Sequence, residues 1–559
     1  MKKFLCLALV LLLLLPMVIA CKQDPAGNPQ GSGSGSGDVQ GGGSGSGSGN
    51  GGNGGNGGDN GDETDPIIKY NMDILDYLPE APNGGYNGKK FNVSMENDSG
   101  HIGNFYATEI TGDLANDTLY RWITKIETTY GVDVTASATQ GTGDDYAKAI
   151  VADLKTSSSH YQLYGIRAFQ SWQPAVQKLF LDWNSLSKDW ITLEGSKAFK
   201  DENGNDVVID AADRWDVPTN GAVTFNGKFY TATGDLGVSK LKNTMATFYH
   251  VDLLEQYGVD NGYDQDYIYG LVDEGDWTLD KMEEIAKDVY NDNNRDGLRD
   301  AGDTYGYYSN SGNSYDIWAP AMGVTAYEED AEGRPVAVLN KPENITKLTR
   351  VREFYHNNRG VMPSSNTGSG LYPFALSETS AFVNGQSLFV TTTFSAAYDS
   401  FQRIGTEAYG IMPQPMYDED QGYYMSYVND NYTVWAINCN LTVGEEQNFA
   451  AHITDALCAE SANQVYYQFY DILLKQRYSK DKETAGMVDK VMENVLCDAT
   501  RQFGNFLTSG DNSVEGYTGA VRNFLKSEDY DFETKLTAYE EAISAKGGKL
   551  DQMFEQAYQ

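Results

Sequence analysis

The sequence predicts an α/β protein made of two lobes joined by a hinge. Residues 85–559 follow a low-complexity N-terminal region and are too many for one hydrophobic core, so two lobes are expected. Strand and helix patterns alternate at the start of this body, which indicates a largely parallel sheet covered on both sides. Strand patterns return after residue 380, in SLFVTTT and YTVWAIN, before a helical final stretch. A chain that leaves a lobe, returns and leaves again is expected to form a hinge.

The first elements follow from the spacing of apolar residues. Alternation predicts strands at 91–95 and 132–134, because side chains on a strand point to opposite faces in turn. Apolar residues spaced i, i+3, i+4 and i+7 predict a helix, and they are Leu119, Trp122, Ile123 and Ile126. A second helical face consists of Tyr146, Ile150, Val151 and Leu154. The Asn-Gly pair in FNGKFY, residues 225–230, predicts a hairpin.

The part of the chain after residue 251 looks mainly helical. VDLLEQYG should end as a helix at Gly258, a favourable residue just past a helix end. Thr278 can cap the next helix, with Asp280 in its first turn. The buried side of that helix should be formed by Leu279, Met282, Ala286 and Val289.

The N-terminus predicts a lipid anchor and a tether. Residues 1–20 combine two lysines with an apolar run, and small residues precede Cys21, as in a bacterial lipoprotein signal. An ordinary signal peptide or an anchor helix are the alternatives. Residues 21–66 are rich in Gly, Ser, Asn and Asp and should form a flexible tether. We therefore expect a protein lipidated on Cys21 at the outer face of a cell membrane.

Charge and cysteine content exclude several functions. The formal net charge is −38, which argues against nucleic-acid partners and against electrostatic docking on anionic lipid. The spacing of Cys439, Cys458 and Cys497 does not match a zinc site, and buried free thiols are expected.

The segment NDNNRDGLRDAGD, residues 291–303, has the oxygen spacing of an EF-hand-type calcium loop. The ligands at positions 1, 3, 5, 7, 9 and 12 would be Asp292, Asn294, Asp296, the Leu298 carbonyl, Asp300 and Asp303. Gly297 falls at position 6, where the chain must turn sharply. The alternative is a polar surface loop of Asx turns. A bound Ca²⁺ is expected to be structural and to lie away from the ligand cleft.

Several segments in order resemble the family 1 extracellular solute-binding proteins. They are residues 226–235, 247–289, 382–392 and 409–424, although Trp277-Thr278 stands in reversed order to the commonest form. Residues 466–491 resemble a subgroup of Gram-positive lipoproteins. The resemblance implies a two-lobed, periplasmic-binding-protein-like fold, similar to maltose-binding proteins, with a hinge and lobes of mixed or parallel sheet flanked by helices. It also implies that a monomer closes on a sugar or oligosaccharide and delivers it to the permease of an ABC importer.

The resemblance further implies where the lobes and the ligand lie. Lobe 1 would comprise 85–243 and 390–430, and lobe 2 would comprise 246–385 and 435–559. Hinge crossings are expected near 244–247, 386–391 and 431–436. Loops facing the hinge should hold the ligand through aromatic faces and planar polar groups. The predicted ligand-binding residues are Asn97, Asp98, Arg167, Gln170, Trp172, Asp235, Tyr315, Trp318, Phe394 and Asn431.

No catalytic motif is present in the folded body, so we do not expect an enzyme. HExxH, phosphate-loop and nucleophile-elbow motifs are lacking, and the five histidines are scattered singly. Among 79 acidic residues a pair at glycosidase distance remains open, so a surface glycoside hydrolase is one alternative. A carbohydrate-binding lipoprotein without a transporter is another, and the ligand could also be a peptide or a polyamine.

Overall fold

The computed structural model describes most of the chain from residue 73 to residue 558. The residues outside the description are 1–72, 139–140, 158, 202, 259–260, 301, 310–311, 332–333, 363–375, 406–407, 480, 498–501, 505–506, 508–515, 528 and 559. The predicted signal, Cys21 and the tether therefore lie outside the described residues. No helix in the described part is long and apolar enough to cross a membrane.

Two four-stranded sheets organise the described chain. The strands are β1 (Lys89–Met95), β2 (Val132–Ser137), β3 (Leu163–Arg167), β4 (Ser196–Lys200), β5 (Asp206–Asp210), β6 (Met245–His250), β7 (Tyr305–Tyr308), β8 (Tyr327–Glu329), β9 (Pro335–Ala337), β10 (Ser387–Thr393), β11 (Tyr409–Met412), β12 (Ser426–Tyr427), β13 (Thr433–Ile437) and β14 (Val495–Leu496). The first sheet has the order β13-β3-β1-β2, with β13 antiparallel to β3 and the other pairs parallel. The second has the order β11-β6-β10-β7, in which only β10 and β7 pair in parallel.

Helices cover both sheets. The α-helices are α1 (Ser99–Ile102), α2 (Leu114–Tyr130), α3 (Gly143–Lys155), α4 (Trp172–Ala175), α5 (Val217–Ala222), α6 (Ser239–Asn243), α7 (Val251–Gly258), α8 (Gln265–Glu274), α9 (Leu279–Val289), α10 (Asn313–Asp316), α11 (Trp318–Ala321), α12 (Pro342–Asn357), α13 (Glu378–Val383), α14 (Ser395–Asp399), α15 (Glu445–Glu460), α16 (Lys482–Glu493), α17 (Tyr517–Lys526), α18 (Phe532–Ser544) and α19 (Lys549–Met553). Helix α15 continues as π-helix over Ser461–Tyr466 and Gln468–Arg477, and α19 continues over Phe554–Tyr558.

The predicted helix at 119–126 and the predicted hairpin both form. The Asp113 side chain accepts a hydrogen bond from Asn116 N at 2.9 Å and caps α2, whose predicted apolar face is buried. Gly131 ends this helix with φ of 61°. The predicted hairpin at 225–230 forms, with Asn226 and Gly227 at φ of 50° and 69°.

Each sheet contributes to two buried clusters, one on each face. On β13, Val434 and Ala436 belong to one cluster, and Trp435 and Ile437 belong to the other. Strand β6 alternates in the same way, because successive side chains point to opposite faces. Both clusters contain residues of both sheets, so the two lobes share continuous packing.

The chain passes between the sheets at three places, and two of the predicted lobe assignments are wrong. It reaches the second sheet between α6 and β6, returns over 428–433, and leaves again along the π-helical segments. Thr244 and Val428 form a bridge where the first two passages run side by side. The predicted crossing at 386–391 coincides with the start of β10, a strand of the second sheet. Residues 390–430 therefore belong with lobe 2, and β13 with the following α15 belongs with lobe 1.

From here, lobe 1 denotes the described residues up to 243 together with 433–460. Lobe 2 denotes 245–428 together with 482–496 and the helices α17 and α18. Helix α16 packs on β11, and α17 packs on α12, which places both with the second sheet. The described cysteines Cys439, Cys458 and Cys497 are all free. Cys458 and Cys497 are buried as predicted, whereas Cys439 is half-exposed.

Candidate ligand-binding site

A polar cluster forms where β1 and β3 end. The Arg167 side chain lies 2.7 Å from Glu96 through Nε and 3.3 Å from Asp98 Oδ2 through Nη2. Glu96 is nearly fully buried, and Gly143 N–H also donates to it. His101 completes the cluster, with Nε2 3.9 Å from Glu96 Oε2. Carboxyl ends of parallel strands meet at one edge of a sheet, which brings these distant residues together.

The electrostatics of the cluster follow from burial. Desolvation raises the pKa of Glu96, although the Gly143 N–H and the Arg167 guanidinium oppose this shift. Burial and the nearby Arg167 charge lower the pKa of His101 to about 4, so this imidazole is neutral at pH 7. Arg167 is thus held by two carboxylates and is a fixed, directional donor.

The structure brings most of the predicted lobe 1 residues to this edge. Asn97 is exposed, and its N–H donates to Gly141 O at 2.8 Å. The Gln170 amide nitrogen donates to Asp144 Oδ1 at 3.2 Å, and Trp172 is half-buried against the core. Asn431 is half-exposed in the nearby 428–433 passage and donates to Asn429 Oδ1 at 2.8 Å.

Three predicted ligand residues are core residues, and these predictions are wrong. Tyr315, Trp318 and Phe394 are each 0% exposed. Trp318 donates from Nε1 to the Tyr355 hydroxyl at 2.8 Å and packs against Tyr307. Because their rings are enclosed by protein, they present no face to a ligand. Aromatic residues serve cores and sugar sites equally, and the sequence does not separate the two roles.

A cavity of about 400 Å³ lies between parts of both lobes and is called here the interlobe cavity. Its lobe 1 wall consists of Ala212, 214–218, Asp235 and Lys240, and its lobe 2 wall consists of Met425 and 492–496. Tyr466 and Tyr470, from the π-helical passage, complete the lining. The predicted residue Asp235 therefore lies in the cavity. Its volume falls within the range of small-molecule sites, roughly 300–1,000 Å³.

A buried ion pair fixes the charged side of the cavity. Lys240 Nζ lies 2.8 Å from Asp216 Oδ2, and both side chains are largely buried. Burial alone would lower the pKa of Lys240, but Asp216 and Asp235 raise it. Burial alone would raise the pKa of Asp216, but Lys240 and Thr219 hold it below its usual value. Both groups are therefore charged at neutral pH.

The other cationic side chain in the cavity lining, Arg214, is paired with Asp455, which lies outside the lining. Arg214 Nε lies 3.1 Å from Asp455 Oδ1, and Trp215 Nε1 donates to the same oxygen at 2.9 Å. The carboxylates of Asp216, Asp235 and Glu493 thus face the single remaining lysine in the lining. The lining carries a net negative charge.

Two tyrosines supply aromatic surface to the cavity. The rings of Tyr466 and Tyr470 have centroids 5.7 Å apart and are tilted by 37°. The Tyr470 hydroxyl donates to Asp489 Oδ1 at 2.6 Å, and Lys475 Nζ lies 5.2 Å from its ring centroid. Burial and the Asp489 charge raise the pKa of Tyr470, so its hydroxyl stays protonated. Both side chains are half-buried, which leaves ring surface for contact.

Hydrogen bonds connect the polar cluster with the interlobe cavity. His101 Nδ1 lies 3.1 Å from Thr433 Oγ1, and Thr433 N donates to Ser239 Oγ at 3.0 Å. Ser239 directly precedes Lys240. A ligand that shifts the Asp216–Lys240 pair would thus act close to the passage at 428–433.

The sequence reasoning missed most of the cavity. Asp216 precedes Val-Pro and caps α5. An Asp in this position is typical of a helix start, so the pattern gives no separate sign of a ligand-binding residue. Tyr466 and Tyr470 are spaced i, i+4, which would have placed them on one face of the crossing helix. That face can be recognised as part of a binding site only when it is known that this helix passes between the lobes.

The calcium-like loop turns as predicted. Gly297 has φ of 78°, and Asp292 accepts hydrogen bonds from Arg295 N and Gly297 N at 2.6 and 2.9 Å. Asp303 is 1% exposed, and its Oδ1 has no hydrogen-bond partner among the described residues. Its Oδ2 accepts from the Tyr290 hydroxyl at 3.0 Å. In the described chain, no group of three or more His, Cys, Asp or Glu side chains converges to hold a metal ion.

Comparison with known proteins identifies the fold. No protein-family model and no curated protein matches the chain. A sugar transporter of Rhizobium etli, in an open conformation, is similar with a TM-score of 0.52 and 12% identity, over 81% of this chain and 100% of that chain. UgpB of Mycobacterium tuberculosis, in complex with glycerophosphocholine, is similar with a TM-score of 0.50 and 13% identity, over 85% of this chain and 100% of that chain. The predicted two-lobed, periplasmic-binding-protein-like α/β fold is confirmed.

Proposed function

We propose that this chain, with its two-lobed periplasmic-binding-protein-like fold, captures a sugar or a related polyhydroxylated solute between its lobes and delivers it to an ABC importer. The observation that supports this proposal most is the interlobe cavity, because residues of both lobes and of a passage between them line it. A ligand held there would contact both lobes at once and would favour their closure.

The lining has the two chemistries that a sugar requires. The rings of Tyr466 and Tyr470 can cover the apolar C–H faces of a pyranose. Asp216, Asp235 and Asn494 carry the planar polar groups that hydrogen-bond to hydroxyls. The two structural neighbours, a sugar transporter and a protein in complex with glycerophosphocholine, agree with a small hydroxylated solute.

The charge of the cavity narrows the ligand class further. Asp216, Asp235 and Glu493 outweigh Lys240, since Arg214 is neutralised by Asp455. A uronic acid or a sugar phosphate would meet net repulsion in this lining. We therefore propose a neutral or amine-bearing sugar.

A thermal-shift panel tests this function. The panel contains neutral mono- and oligosaccharides, amino sugars, uronic acids, peptides and polyamines, each added to the mature protein. A true ligand at a hundredfold excess over Kd stabilises the native state by about 2.7 kcal/mol, which gives a clear rise in Tm. We expect a rise with a neutral or amino sugar. A rise with uronic acids alone, or with peptides alone, would contradict the proposal.

We also propose that the protein binds its ligand without turning it over. The function requires capture and release, and the lining carboxylates Asp216 and Asp235 have hydrogen-bonding roles in this account. Incubation of the stabilising oligosaccharide with the protein should release no reducing sugar. Steady release would favour the surface glycoside hydrolase instead.

We propose lipidation of Cys21 as the membrane attachment. The signal-like residues 1–20 and the Gly-rich segment that follows support this proposal. We expect Cys21→Ser to move the protein from the membrane fraction into the medium of the producing cells. Unchanged membrane attachment of that variant would argue for an anchor helix.

We propose that Ca²⁺ stabilises the loop at 292–303. The buried Asp303 Oδ1 lacks a hydrogen-bond partner in the described chain. A buried polar atom is expected to have a partner, and a bound Ca²⁺ would be one. The side chains of Asp292, Asn294, Asp296, Asp300 and Asp303 and the Leu298 carbonyl would supply the oxygen ligands that calcium prefers. This ion would hold a loop of lobe 2 and would take no part in ligand binding.

A further inference from the structure

The last ten described residues, Lys549–Met553 and Phe554–Tyr558, form a segment called here the C-terminal latch. It follows α18, which is anchored in lobe 2. There Glu540 accepts hydrogen bonds from Asn340 N at 3.1 Å and from the Tyr517 hydroxyl at 2.8 Å. The latch therefore starts from lobe 2.

The end of the latch is buried against lobe 1. Tyr558 is 1% exposed, and its ring lies 5.1 Å from Phe225 and 5.5 Å from Tyr230, measured between centroids. Asn226 Nδ2 donates to Tyr558 O at 2.8 Å, and the Tyr230 hydroxyl donates to Ala557 O. These partners belong to the hairpin at 225–230, which joins the first sheet through a bridge from Ala232 to Trp435.

The middle of the latch is held by lobe 2. Asp551 pairs with Arg334, and the Arg334 guanidinium lies 5.2 Å from the centroid of the Phe554 ring. Gly547 N also donates to Asp551 Oδ2 at 2.9 Å. The latch thus contacts lobe 2 through Asp551 and lobe 1 through Tyr558, seven residues later.

We propose that the C-terminal latch is a built-in clamp that holds the two lobes in the arrangement of this structure. The lobes are joined covalently by the passages at 243–245, 428–433 and 461–477. A rotation about these passages that separates the hairpin at 225–230 from Arg334 must break one end of the latch. Because Tyr558 is buried among aromatic rings and bonded through its carbonyl, release of the latch is a distinct step in lobe opening. The latch therefore sets the balance between open and closed lobes in the absence of ligand.

The interlobe distance in the ligand-free protein tests the latch. Spin labels are placed on the exposed positions Val443→Cys in lobe 1 and Tyr423→Cys in lobe 2, in a Cys439→Ser background. Tyr558→Ala removes the aromatic contact with lobe 1. Asn226→Gly removes only the hydrogen bond to Tyr558 O and keeps a residue suited to the positive φ of 50°.

We expect Tyr558→Ala to broaden the label-to-label distance distribution toward longer distances, and Asn226→Gly to shift it less in the same direction. Phe532→Ala is the matched control, since it deletes a buried aromatic ring that stacks on Phe524 within lobe 2. This control should lower Tm without changing the distance. If Tyr558→Ala fails to fold, the distance distribution of Asn226→Gly alone tests the proposal. Distributions that superimpose on that of the unmodified protein, or an equal change in Phe532→Ala, would overturn the proposal. No ligand is needed, so the outcome is separate from that of the proposed function.

Discussion

A buried histidine shows how single residues couple this fold to pH. His452 is 0% exposed in α15, its Nδ1 lies 2.8 Å from the Tyr86 hydroxyl, and the Tyr130 and Trp190 rings lie beside it. Burial lowers the pKa of His452 to about 4. The ring must therefore stay neutral in the folded protein, whereas it titrates near 6.5 when the chain unfolds.

The depressed pKa of His452 predicts a loss of stability in mild acid. The contribution of His452 to the free energy of unfolding is complete above pH 6.5. It is lost as the pH falls toward 4, because the imidazole then binds a proton in the unfolded state and not in the folded state. Between pH 7 and pH 5 the loss is roughly 2 kcal/mol. Denaturant unfolding at both pH values should show a smaller loss in His452→Gln than in the unmodified protein.

The comparison of variant with unmodified protein is needed because Glu460 opposes this trend. Burial raises the pKa of Glu460 to about 7 despite its contact with Lys125 at 2.8 Å, so its contribution declines as the pH rises. An identical loss between pH 7 and pH 5 in His452→Gln would contradict the assignment to His452.

Individual site residues were only partly predictable from the sequence. The placement of Asp98 and Arg167 could be predicted because they stand at the ends of strands that meet at one sheet edge. The prediction for Trp318 is wrong, since a ring that packs on Tyr307 and a ring that stacks on a sugar need the same residue type. Lys240 could not be found either, because its role depends on Asp216 and Asp235, which the fold brings beside it.

Helices and strands with a strong local sequence pattern were predicted. The sheet to which a strand belongs depends on its pairing with distant strands, and this was not predicted. Helix α2 was predicted from its apolar stripe alone, and the structure buries that stripe and adds an Asp113 cap and a terminal Gly131. Strands β11 and β13 are both short and fully buried, so their composition does not tell which sheet each one joins. Pairing of β13 with β3 over Thr433–Ile437 decides it, and this contact spans about 270 residues.

The calcium-like loop at 292–303 is an element whose stability should depend on Ca²⁺ if the proposed site binds it. At millimolar Ca²⁺, a weak extracellular-type site that is half to nine-tenths filled would add about 0.4 to 1.4 kcal/mol to the free energy of unfolding. We expect EGTA to lower Tm in a calcium-containing buffer and Mg²⁺ to restore it poorly. Asp296→Asn, which removes one charged ligand from an exposed position, should reduce the effect of EGTA.

Ligand affinity separates a structural calcium site from one that takes part in binding. If EGTA leaves Tm unchanged, the loop is a set of Asx turns without a bound ion. If EGTA instead abolishes ligand binding, calcium must be assigned to the binding site.

At the scale of the whole molecule, the proposed function would depend on packing that the two lobes share. Both buried clusters contain residues from the two sheets, and the interlobe cavity interrupts this packing near the passage at 461–477. π-Helical turns are rare, and they frequently occur at functional sites. Tyr466 and Tyr470 lie on this passage, so a ligand that contacts them also contacts the segment that must move when the lobes rotate.

Calorimetric affinity of the cavity variants tests the central claim most directly, with the sugar that stabilises the protein most. We predict that Asp235→Asn weakens binding about 10- to 100-fold, because a hydrogen bond to a charged group contributes about 1.5–3 kcal/mol. Tyr466→Leu should weaken it about 3- to 10-fold, and Tyr466→Phe should not, since the ring face remains. Asp189→Asn, on the exposed surface, and Trp318→Phe, in the core of lobe 2, should leave affinity unchanged. Affinities of Asp235→Asn and Tyr466→Leu within twofold of the unmodified protein would contradict the assignment of the interlobe cavity as the ligand site.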